Sequence, residues 1–465
     1  MGCCCSRGNP AIDGRSLEPH DSCYFDNGFA PLSGIFAFSA KGLGSDTWLQ
    51  ASFSRAVRMS PLLRTRVEGS ANVAAFRALH RESEWPALHV APTEPDDVAA
   101  FAAARTLLAM EVDAIMAGGK EAQRTSVRAH VVRSSQRLVF ALAAPHHFCD
   151  GTAIASLMCK LYAYALSPAC LWVFVDQLSE ADVPTYSEMA FKSEISQYKV
   201  MDGFSSSSLS KRYSPDNFSF AEHDMTSGDA ASRLTGLEGA IAIAPAASLQ
   251  KALGGLRAHG VTLTSAFGGL AIKVLAKLLA DAGGKRPTAL LGTNGVDGRG
   301  LGQWPLRASC NGILPVVANY TFASHTQVPF AAAQSETLEQ IAARIKATFD
   351  QINSNTAFRM HEIAASAAAP LPSSNMFCGC SSVVIPSCVN VLGVSVTVES
   401  RIAFGPVPRV WFYVVTCGGD TTVDADIALP LALSDSGVRE VVQEILRTSV
   451  LEPLLRPGAS GLTKD

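Results

Sequence analysis

The strongest constraint on the fold is an apolar run, Leu138–Ala144, that leads through Pro-His-His-Phe-Cys-Asp-Gly into a helical pattern. A run without polar interruption predicts a β-strand that is buried on both faces. Residues Thr152–Leu166 repeat apolar side chains at helical spacing and predict the helix. A buried strand followed by a helix is typical of α/β proteins, so the polar loop is expected at the end of a core strand.

The polar loop carries side chains that can perform acid–base chemistry. His146 at the strand end can serve as a base because the ordinary pKa of imidazole, about 6.5, lies near neutral pH. Asp150 can fix the loop that directs this imidazole, and Gly151 permits a backbone conformation and a close approach that a Cβ would hinder. Two alternatives are satisfied structural histidines and a metal site with His147 and Cys149. Adjacent histidines diverge on an extended chain and no second ligand cluster follows, so no metal is predicted.

Composition excludes several classes of protein. Of 465 residues, 48% are hydrophobic and 17% are charged, which excludes an intrinsically disordered chain. The formal net charge is −3 without a basic stripe, so no nucleic-acid partner is expected. The most apolar stretches, Leu161–Val175 and Val383–Val398, contain proline or asparagine and are shorter than the roughly 20 residues of a membrane span. We expect a core-rich soluble monomer.

The first six residues match a lipidation pattern. Gly2 and Ser6 fit the arrangement for myristoylation after removal of the initiator methionine, and Cys3, Cys4 and Cys5 offer thiols for palmitoylation. Because one acyl chain binds a bilayer only marginally, stable anchoring needs such a second signal. The alternative is a tail with accidental cysteines. No secretory pattern is visible, so we expect a cytoplasmic protein with reduced thiols, anchored to the cytosolic face of a membrane.

The remaining sequence indicates two α/β halves joined by a polar connection. We divide the chain into a lipid-modified tail (1–25), an N-terminal domain (26–202), a serine-rich linker (203–233) and a C-terminal domain (234–465). The further predicted elements are strand Ser33–Leu43, helix Asp46–Met59, an extended segment at Leu62–Val67, strand Ser126–Val132, helix Ser265–Asp281, strand Thr288–Thr293, helix Ser335–Asn353, strands Val389–Glu399 and Val410–Cys417, and helix Asp435–Leu454.

With these motifs in place, the sequence resembles a known superfamily. His146-x-x-x-Asp150-Gly151 resembles the H-x-x-x-D-G signature of acyltransferases with the chloramphenicol-acetyltransferase-like fold, which include BAHD enzymes, alcohol acyltransferases and condensation domains. Ser60–Arg66, Val261–Ser265 and Asn294–Arg299 resemble further family segments in the same order. The resemblance implies an α/β two-domain sandwich with a central interdomain channel.

The resemblance also implies a mechanism. His146 would take the proton from an alcohol or amine acceptor as the acceptor attacks the thioester of acyl-CoA, a co-substrate, so no permanently bound cofactor is expected. Asp150 would pair with Arg299 and tie the two domains together behind the loop; the alternative for Arg299 is a solvated turn. Ser381 and Ser382 could line the channel or donate to a tetrahedral oxyanion, although serines in strands and turns are mostly structural.

Several alternatives stay open at the level of sequence. Cys149 could act as a covalent nucleophile, although a free cysteine is more often a small buried apolar residue. The D-F-G-W-G segment of BAHD enzymes is matched only by Ala403-Phe404-Gly405, which lacks the aspartate and the tryptophan. The principal hypothesis is an acyl-CoA-dependent O-acyltransferase with a small-molecule acceptor. The alternatives are a condensation-type domain that uses carrier-protein thioesters and a non-catalytic, lipid-anchored scaffold.

Overall fold

The chain forms two units that are each discontinuous in sequence. Unit 1 comprises Met1–Tyr198, Asp297–Thr321 and Val384–Gly405, and unit 2 comprises Lys199–Val296, Phe322–Val383 and Pro406–Asp465. The computed structural model describes residues 12–18, 21, 25, 31–40, 43–69, 73–176, 183, 254–281, 286–300, 309–310, 314–355, 358–359, 362–363, 377–384, 397–402, 409–417, 420–428, 438–449 and 451.

Strands and helices alternate along the described residues. The strands are β1 Leu32–Ser39, β2 Thr65–Glu68, β3 Ala75–Ala78, β4 Leu88–Val90, β5 Arg128–Arg133, β6 Arg137–Ala144, β7 Ala289–Asp297, β8 Ser309–Cys310, β9 Leu314–Pro315, β10 Thr321–Pro329, β11 Phe377–Val384, β12 Thr397–Ile402, β13 Arg409–Cys417 and β14 Asp420–Ala428. The α-helices are α1 Asp46–Arg58, α2 Asp97–Ala117, α3 Gly119–Ala122, α4 Gly151–Leu166, α5 Trp172–Val175, α6 Leu263–Asp281, α7 Phe330–Ser335, α8 Leu338–Ser354 and α9 Val438–Arg447.

Unit 1 is built on a five-stranded sheet in the order β12-β1-β6-β5-β4. Ile35 and Ala37 of β1 share an apolar cluster with Ala100 of α2. Phe38, which points to the opposite face of the strand, stacks on Tyr162 of α4 with ring centroids 4.5 Å apart. The sheet is therefore covered by α2 on one face and α4 on the other, and β6 is buried from Leu138 to Ala144 as its apolar sequence predicts.

Strand β12 shows how the chain returns to unit 1. It pairs antiparallel with β1, with Leu32 opposite Ile402, although the two strands are more than 350 positions apart in the chain. The sequence-based boundary, by contrast, treats everything after residue 234 as one contiguous domain. Pairing between distant strands has no local sequence signal, so the discontinuity could not be predicted. The predicted linker, 203–233, lies outside the described residues.

Unit 2 contains a second five-stranded sheet in the order β10-β7-β11-β13-β14. Strands β7 and β11 run parallel, and a Cβ at Gly379 of β11 would lie 1.6 Å from the Thr293 carbonyl oxygen, so only glycine fits there. Within the described residues, one helix, α6, is long and apolar enough to cross a membrane by length and composition. Its side chains are mostly buried in the apolar cluster of unit 2, so we interpret α6 as a core helix.

Several predicted elements differ from the structure in their bounds. The segment predicted as extended after Ser60 is a 3-10 turn, Pro61–Arg64, before β2 begins. The helix predicted over Ser335–Asn353 begins at Leu338, because Thr337 and Gln340 form a reciprocal capping box that starts α8 there, after the short helix α7 has ended at Ser335. The strand predicted over Val389–Glu399 is described only from Thr397 onward. Helix α2 and strands β10 and β14 were not predicted.

The segment predicted as a separate tail also differs. Residues 14–17 run beside β3, and backbone amides exchange hydrogen bonds between Gly14 and the Phe76 carbonyl and between Phe76 and the Arg15 carbonyl, each 2.8 Å long. Ile12 and Phe25 are fully buried. Within the segment predicted as a tail, residues 14–17 thus pair with β3 and Ile12 and Phe25 belong to the buried core.

Candidate active site

The candidate site lies at the junction of β6 and α4 in unit 1. Strand β6 ends at Ala144, and the Phe148 amide donates to the Pro145 carbonyl oxygen at 3.1 Å, which closes a turn. This turn contains His146 and His147, and both side chains are buried. Helix α4 then begins at Gly151, so the two histidines are held between a core strand and the first turn of a core helix.

Asp150 fixes the start of α4 and uses both of its carboxylate oxygens to do so. Oδ1 accepts a hydrogen bond from the Ala153 amide at 2.8 Å, which makes Asp150 the N-cap. Oδ2 accepts from Arg299 Nη1 at 2.7 Å and from the Tyr320 amide at 2.9 Å. The side chain is only 1% exposed. A carboxylate so fully bonded is suited to positioning the loop and not to exchanging protons.

Arg299 reaches Asp150 from the segment that follows β7. Its Nη2 donates to the carbonyl oxygens of Val316 at 3.0 Å and Ala318 at 2.7 Å, and Nη1 also donates to Asp297 Oδ1 at 3.1 Å. Burial alone would lower the pKa of Arg299, but the charges of Asp150 and Asp297 outweigh it and raise the pKa above its ordinary value. The guanidinium is therefore a permanent cation at the back of the loop.

The pairing of Asp150 with Arg299, implied by the family resemblance, is thus present, and the alternative of a solvated arginine is wrong. Both residues belong to unit 1, because the segment Asp297–Thr321 groups with the first part of the chain. The ion pair therefore holds a returning segment onto unit 1. The sequence predicts that this ion pair ties the two domains together, whereas both of its residues lie in the same unit.

Two further contacts hold this returning segment on α4. Thr152 Oγ1 donates to Asp297 Oδ2 at 3.2 Å, and Ser156 Oγ donates to the Pro315 carbonyl oxygen at 2.5 Å. Asp297 and Tyr320 were not singled out as site residues from the sequence. Asp297 stands two positions before Arg299, which is a usable signal. Tyr320 contributes its backbone amide and a ring 4.8 Å from the Arg299 guanidinium, for which the sequence carries no signal.

The two histidines are both held in their uncharged form. Burial lowers the pKa of His146 below its ordinary value of 6.5, an effect that its own backbone carbonyl and the charge of Asp150 only partly oppose. Burial lowers the pKa of His147 further, to about 3, with an added contribution from His146 and a small opposing one from the Gln123 carbonyl. A neutral imidazole at pH 7 can accept a proton, which is the state that a general base requires.

Other predicted roles in this loop are answered by burial and backbone geometry. The Cys149 side chain is completely buried, which fits a small apolar core residue better than an exposed nucleophile. Gly151 is the first residue of α4 and has helical backbone, so a special backbone conformation does not explain glycine there. Among the described residues, no three histidine, cysteine or acidic side chains form a group that could hold a metal ion.

The structure does not bring every predicted site residue to this loop. Ser381 and Ser382 are half-buried on β11, a strand in the sheet of unit 2. No hydrogen bond to a catalytic group is seen for either side chain, so their role as oxyanion donors stays a prediction. The lipidation residues Gly2, Cys3, Cys4 and Cys5 lie outside the described residues. The same is true of the divergent segment 403–405.

The fold of this chain is known from solved structures. The chain has the chloramphenicol-acetyltransferase-like fold that acyltransferases and condensation domains share. No protein-family model and no curated protein matches the sequence itself.

Three solved structures illustrate the likeness. A trichothecene 15-O-acetyltransferase from Fusarium sporotrichioides has a TM-score of 0.59 and 13% identity, covering 95% of this chain and 95% of the other. Polyketide synthase associated protein 5 from Mycobacterium tuberculosis has a TM-score of 0.56 and 14% identity, covering 94% and 98%. The first condensation domain of the CDA synthetase has a TM-score of 0.56 and 11% identity, covering 97% and 99%.

Proposed function

We propose that this protein is an acyltransferase that moves an acyl group from acyl-CoA to the hydroxyl of a small-molecule acceptor, with His146 as the general base. The observation that carries the proposal is the complete use of the Asp150 carboxylate beside a buried, uncharged His146. Asp150 cannot relay protons while it holds the helix, the arginine and the Tyr320 amide. Proton transfer is therefore left to the histidines of the loop, and we assign it to His146 because His146 stands at the H-x-x-x-D-G spacing.

The reaction balances without a covalent enzyme intermediate. The acceptor oxygen attacks the thioester carbonyl carbon while His146 takes the hydroxyl proton, which gives a tetrahedral intermediate. This intermediate collapses with cleavage of the carbon–sulfur bond, and His146 returns the proton to the departing thiolate. The products are the ester and free CoA thiol. An amine acceptor would give an amide by the same proton movements.

The purified protein tests this proposal directly. It would be mixed with a panel of acyl-CoAs of increasing chain length and a panel of alcohols and amines, and release of free thiol would be followed. Thiol release that depends on the acceptor and is accompanied by an equal amount of ester supports the proposal. Thiol release that starts with an acceptor-independent burst equal to the enzyme concentration would indicate an acyl-enzyme and contradict it.

The condensation-domain neighbours favour a second candidate function. In that case the donor would be a thioester on a carrier protein, and the same histidine would serve as base. The two functions separate on the donor alone. Turnover with acyl-CoA supports the first candidate, whereas turnover with an acyl-pantetheinyl carrier protein and none with acyl-CoA supports the second. If the folded protein, with His146 and Asp150 in place, consumes neither acyl-CoA nor the carrier-protein thioester, the result favours a non-catalytic scaffold.

The N-terminal sequence supports an anchor on a membrane for this enzyme. Cys5 lies seven positions before the buried Ile12, so a fully extended chain places an acylated Cys5 at most about 25 Å from Ile12. A short tether would keep the candidate site near the bilayer surface, where long-chain acyl donors and apolar acceptors concentrate. We therefore propose that the enzyme acts at the cytosolic face of a membrane on apolar substrates.

Fractionation of cells tests the anchor separately from the chemistry. Gly2→Ala removes the myristoylation site, and a variant with serine at positions 3, 4 and 5 removes the thiols. We expect the first variant to be found in the soluble fraction and the second to bind membranes weakly and reversibly. Thiol release with a water-soluble acceptor should be the same in both variants. Identical partitioning of wild type and Gly2→Ala would contradict the anchor.

A further inference from the structure

The buried part of the N-terminal segment contacts the histidine loop through an aromatic ring. Phe25 is fully buried, and its ring meets the His147 ring edge-on, with centroids 5.5 Å apart and an interplanar angle of 83°. His147 also contacts the ring of the following residue, Phe148, with ring centroids 4.5 Å apart and a tilt of 42°. The His147 imidazole thus contacts two phenylalanine rings, one of which precedes the first strand of the sheet.

A second path connects the same segment to the loop. The Arg15 guanidinium lies 5.2 Å from the centre of the Phe76 ring on β3, and this ring meets Phe148 edge-on at 5.7 Å. Arg15 and Phe76 are also joined through their backbones. The segment therefore contacts the loop directly through Phe25, and Arg15 is linked to it through Phe76 of β3.

We propose that residues 12–18 and Phe25, which we term the N-terminal strap, position the catalytic loop, and that Phe25 is the positioning residue that fixes His147 and thereby orients His146. The inference rests on the proposed role of His146 as general base. It assigns a function to a part of the chain that the sequence alone marks as a tail. It also gives the extra histidine of the His-His pair a role, namely to link the strap to the base.

The chemical consequence follows from the spacing of the two histidines. His147 is buried beside the two rings, and this burial lowers its pKa to about 3, so its imidazole is uncharged at neutral pH. If Phe25 is removed and water enters, His147 becomes protonated near its ordinary pKa of 6.5. A cation directly adjacent to His146 then disfavours the protonated form of the base, since like charges repel. Loss of the strap should therefore impair catalysis most at acid pH.

Two cations lie near the Phe25 ring. Lys120 Nζ, on α3, lies 5.6 Å from the centre of the ring, and the Arg124 guanidinium, in the turn after α3, lies 5.9 Å from it. Arg124 is itself held by Glu121 at 2.7 Å. His146 is the neighbour in the loop. Burial and the neighbouring His146 account for the lowered pKa of His147, which the Gln123 carbonyl only partly opposes.

The experiment compares Phe25→Ala and Phe25→Leu with Phe53→Ala and Phe53→Leu. Phe53 is an equally buried phenylalanine on α1 of the same unit and controls for the loss of core volume. The full-length protein would be labelled in its imidazole rings, and the histidine titrations would be followed by NMR. We expect His147 to titrate near pH 6 in Phe25→Ala and to stay neutral above pH 5 in wild type and both Phe53 variants.

Acyl transfer supplies the second readout. We expect Phe25→Ala to lower kcat severalfold at pH 8 and about tenfold at pH 6, Phe25→Leu to restore most of the loss, and the Phe53 variants to keep the wild-type pH profile. If Phe25→Ala does not fold, Phe25→Leu against Phe53→Leu gives the same comparison with smaller shifts. A wild-type histidine titration in folded Phe25 variants would overturn the proposal. A changed titration in a protein without transferase activity would support the strap and reject the proposed function instead.

Discussion

Asp150 and Glu111, two of the carboxylates of unit 1 that bind an arginine, differ sharply in their surroundings. Asp150 meets Arg299 at 2.7 Å with side-chain exposures of 1% and 7%. Glu111 on α2 meets Arg128 at 2.9 Å and His130 Nε2 at 2.7 Å, with exposures of 23% for Glu111 and 28% for Arg128. The distances are nearly equal. The water around one pair and its absence around the other are what separate the two regions.

The comparison shows why only one of these pairs can hold a catalytic loop. Glu111 is screened by solvent, and hydrogen bonds from Arg128 and His130 lower its pKa although partial burial opposes them. Asp150 has no solvent to replace a lost partner, so breaking its pair leaves a buried charge and a released helix end. Charge pairing becomes a positioning device only where desolvation makes every alternative conformation expensive.

The largest expected effect is on the buried pair. Asp150→Ala and Arg299→Ala should each lower the free energy of unfolding by about 3–5 kcal/mol, the range for breaking a buried ion pair. The double variant should cost less than the sum of the two, because the second substitution removes a charge that the first has already left unpaired. Urea denaturation of the four proteins measures the cycle. Strictly additive losses would show that the two side chains do not interact in solution.

The second prediction concerns the pH dependence of stability, to which His147 and Glu111 contribute over different ranges of acid pH. His147 has a folded pKa of about 3 against an ordinary 6.5, so the unfolded chain binds a proton that the folded protein refuses. Stability should therefore fall as the pH drops below about 6.5, by roughly 2 kcal/mol at pH 5 for this one histidine. Glu111 has a lowered pKa and contributes no change until the pH falls below about 4.5.

His147→Gln tests this assignment, since glutamine is of similar size and does not titrate. Its unfolding free energy should change less between pH 7 and pH 5 than that of wild type. An unchanged slope would mean that His147 is hydrated in the folded protein.

The smallest expected effect is on the half-buried pair. Glu111→Gln should cost about 1 kcal/mol at low ionic strength and less in high salt, because the water that reaches this pair screens its charges. Thermal unfolding at two salt concentrations measures this. A loss as large as that of Asp150→Ala would erase the distinction between the two regions.

Local pattern predicted the elements that carry the site, but not what surrounds them. The apolar run before Pro145 predicted β6, and the helical spacing after Gly151 predicted α4, because both signals lie within one element. Pairing of Asp150 with Arg299 came from the resemblance of two motifs to a family. The Val316 and Ala318 carbonyls that complete the arginine site carry no side-chain signal.

The strap was missed for a different reason. Residues 12–25 are short of apolar periodicity and follow a lipidation pattern, so the sequence favours a tail there. The described part of this segment contacts unit 1 through long-range pairing with β3 and through the Phe25 ring, neither of which leaves a periodic trace in the sequence. The pairing of β12 also leaves no local trace in the sequence, because its partner β1 lies near the opposite end of the chain.

The proposed mechanism depends most on His146 being the general base, and one comparison of variants tests this assignment. Acceptor-dependent thiol release would be measured at pH 8 for wild type, His146→Ala and His147→Ala, with folding checked by circular dichroism. We predict that His146→Ala lowers kcat/KM by two to four orders of magnitude, the typical loss of a positioned base, and that His147→Ala lowers it by about tenfold or less. A larger loss in His147→Ala, or equal losses in the two folded variants, would contradict the assignment of His146 as the base.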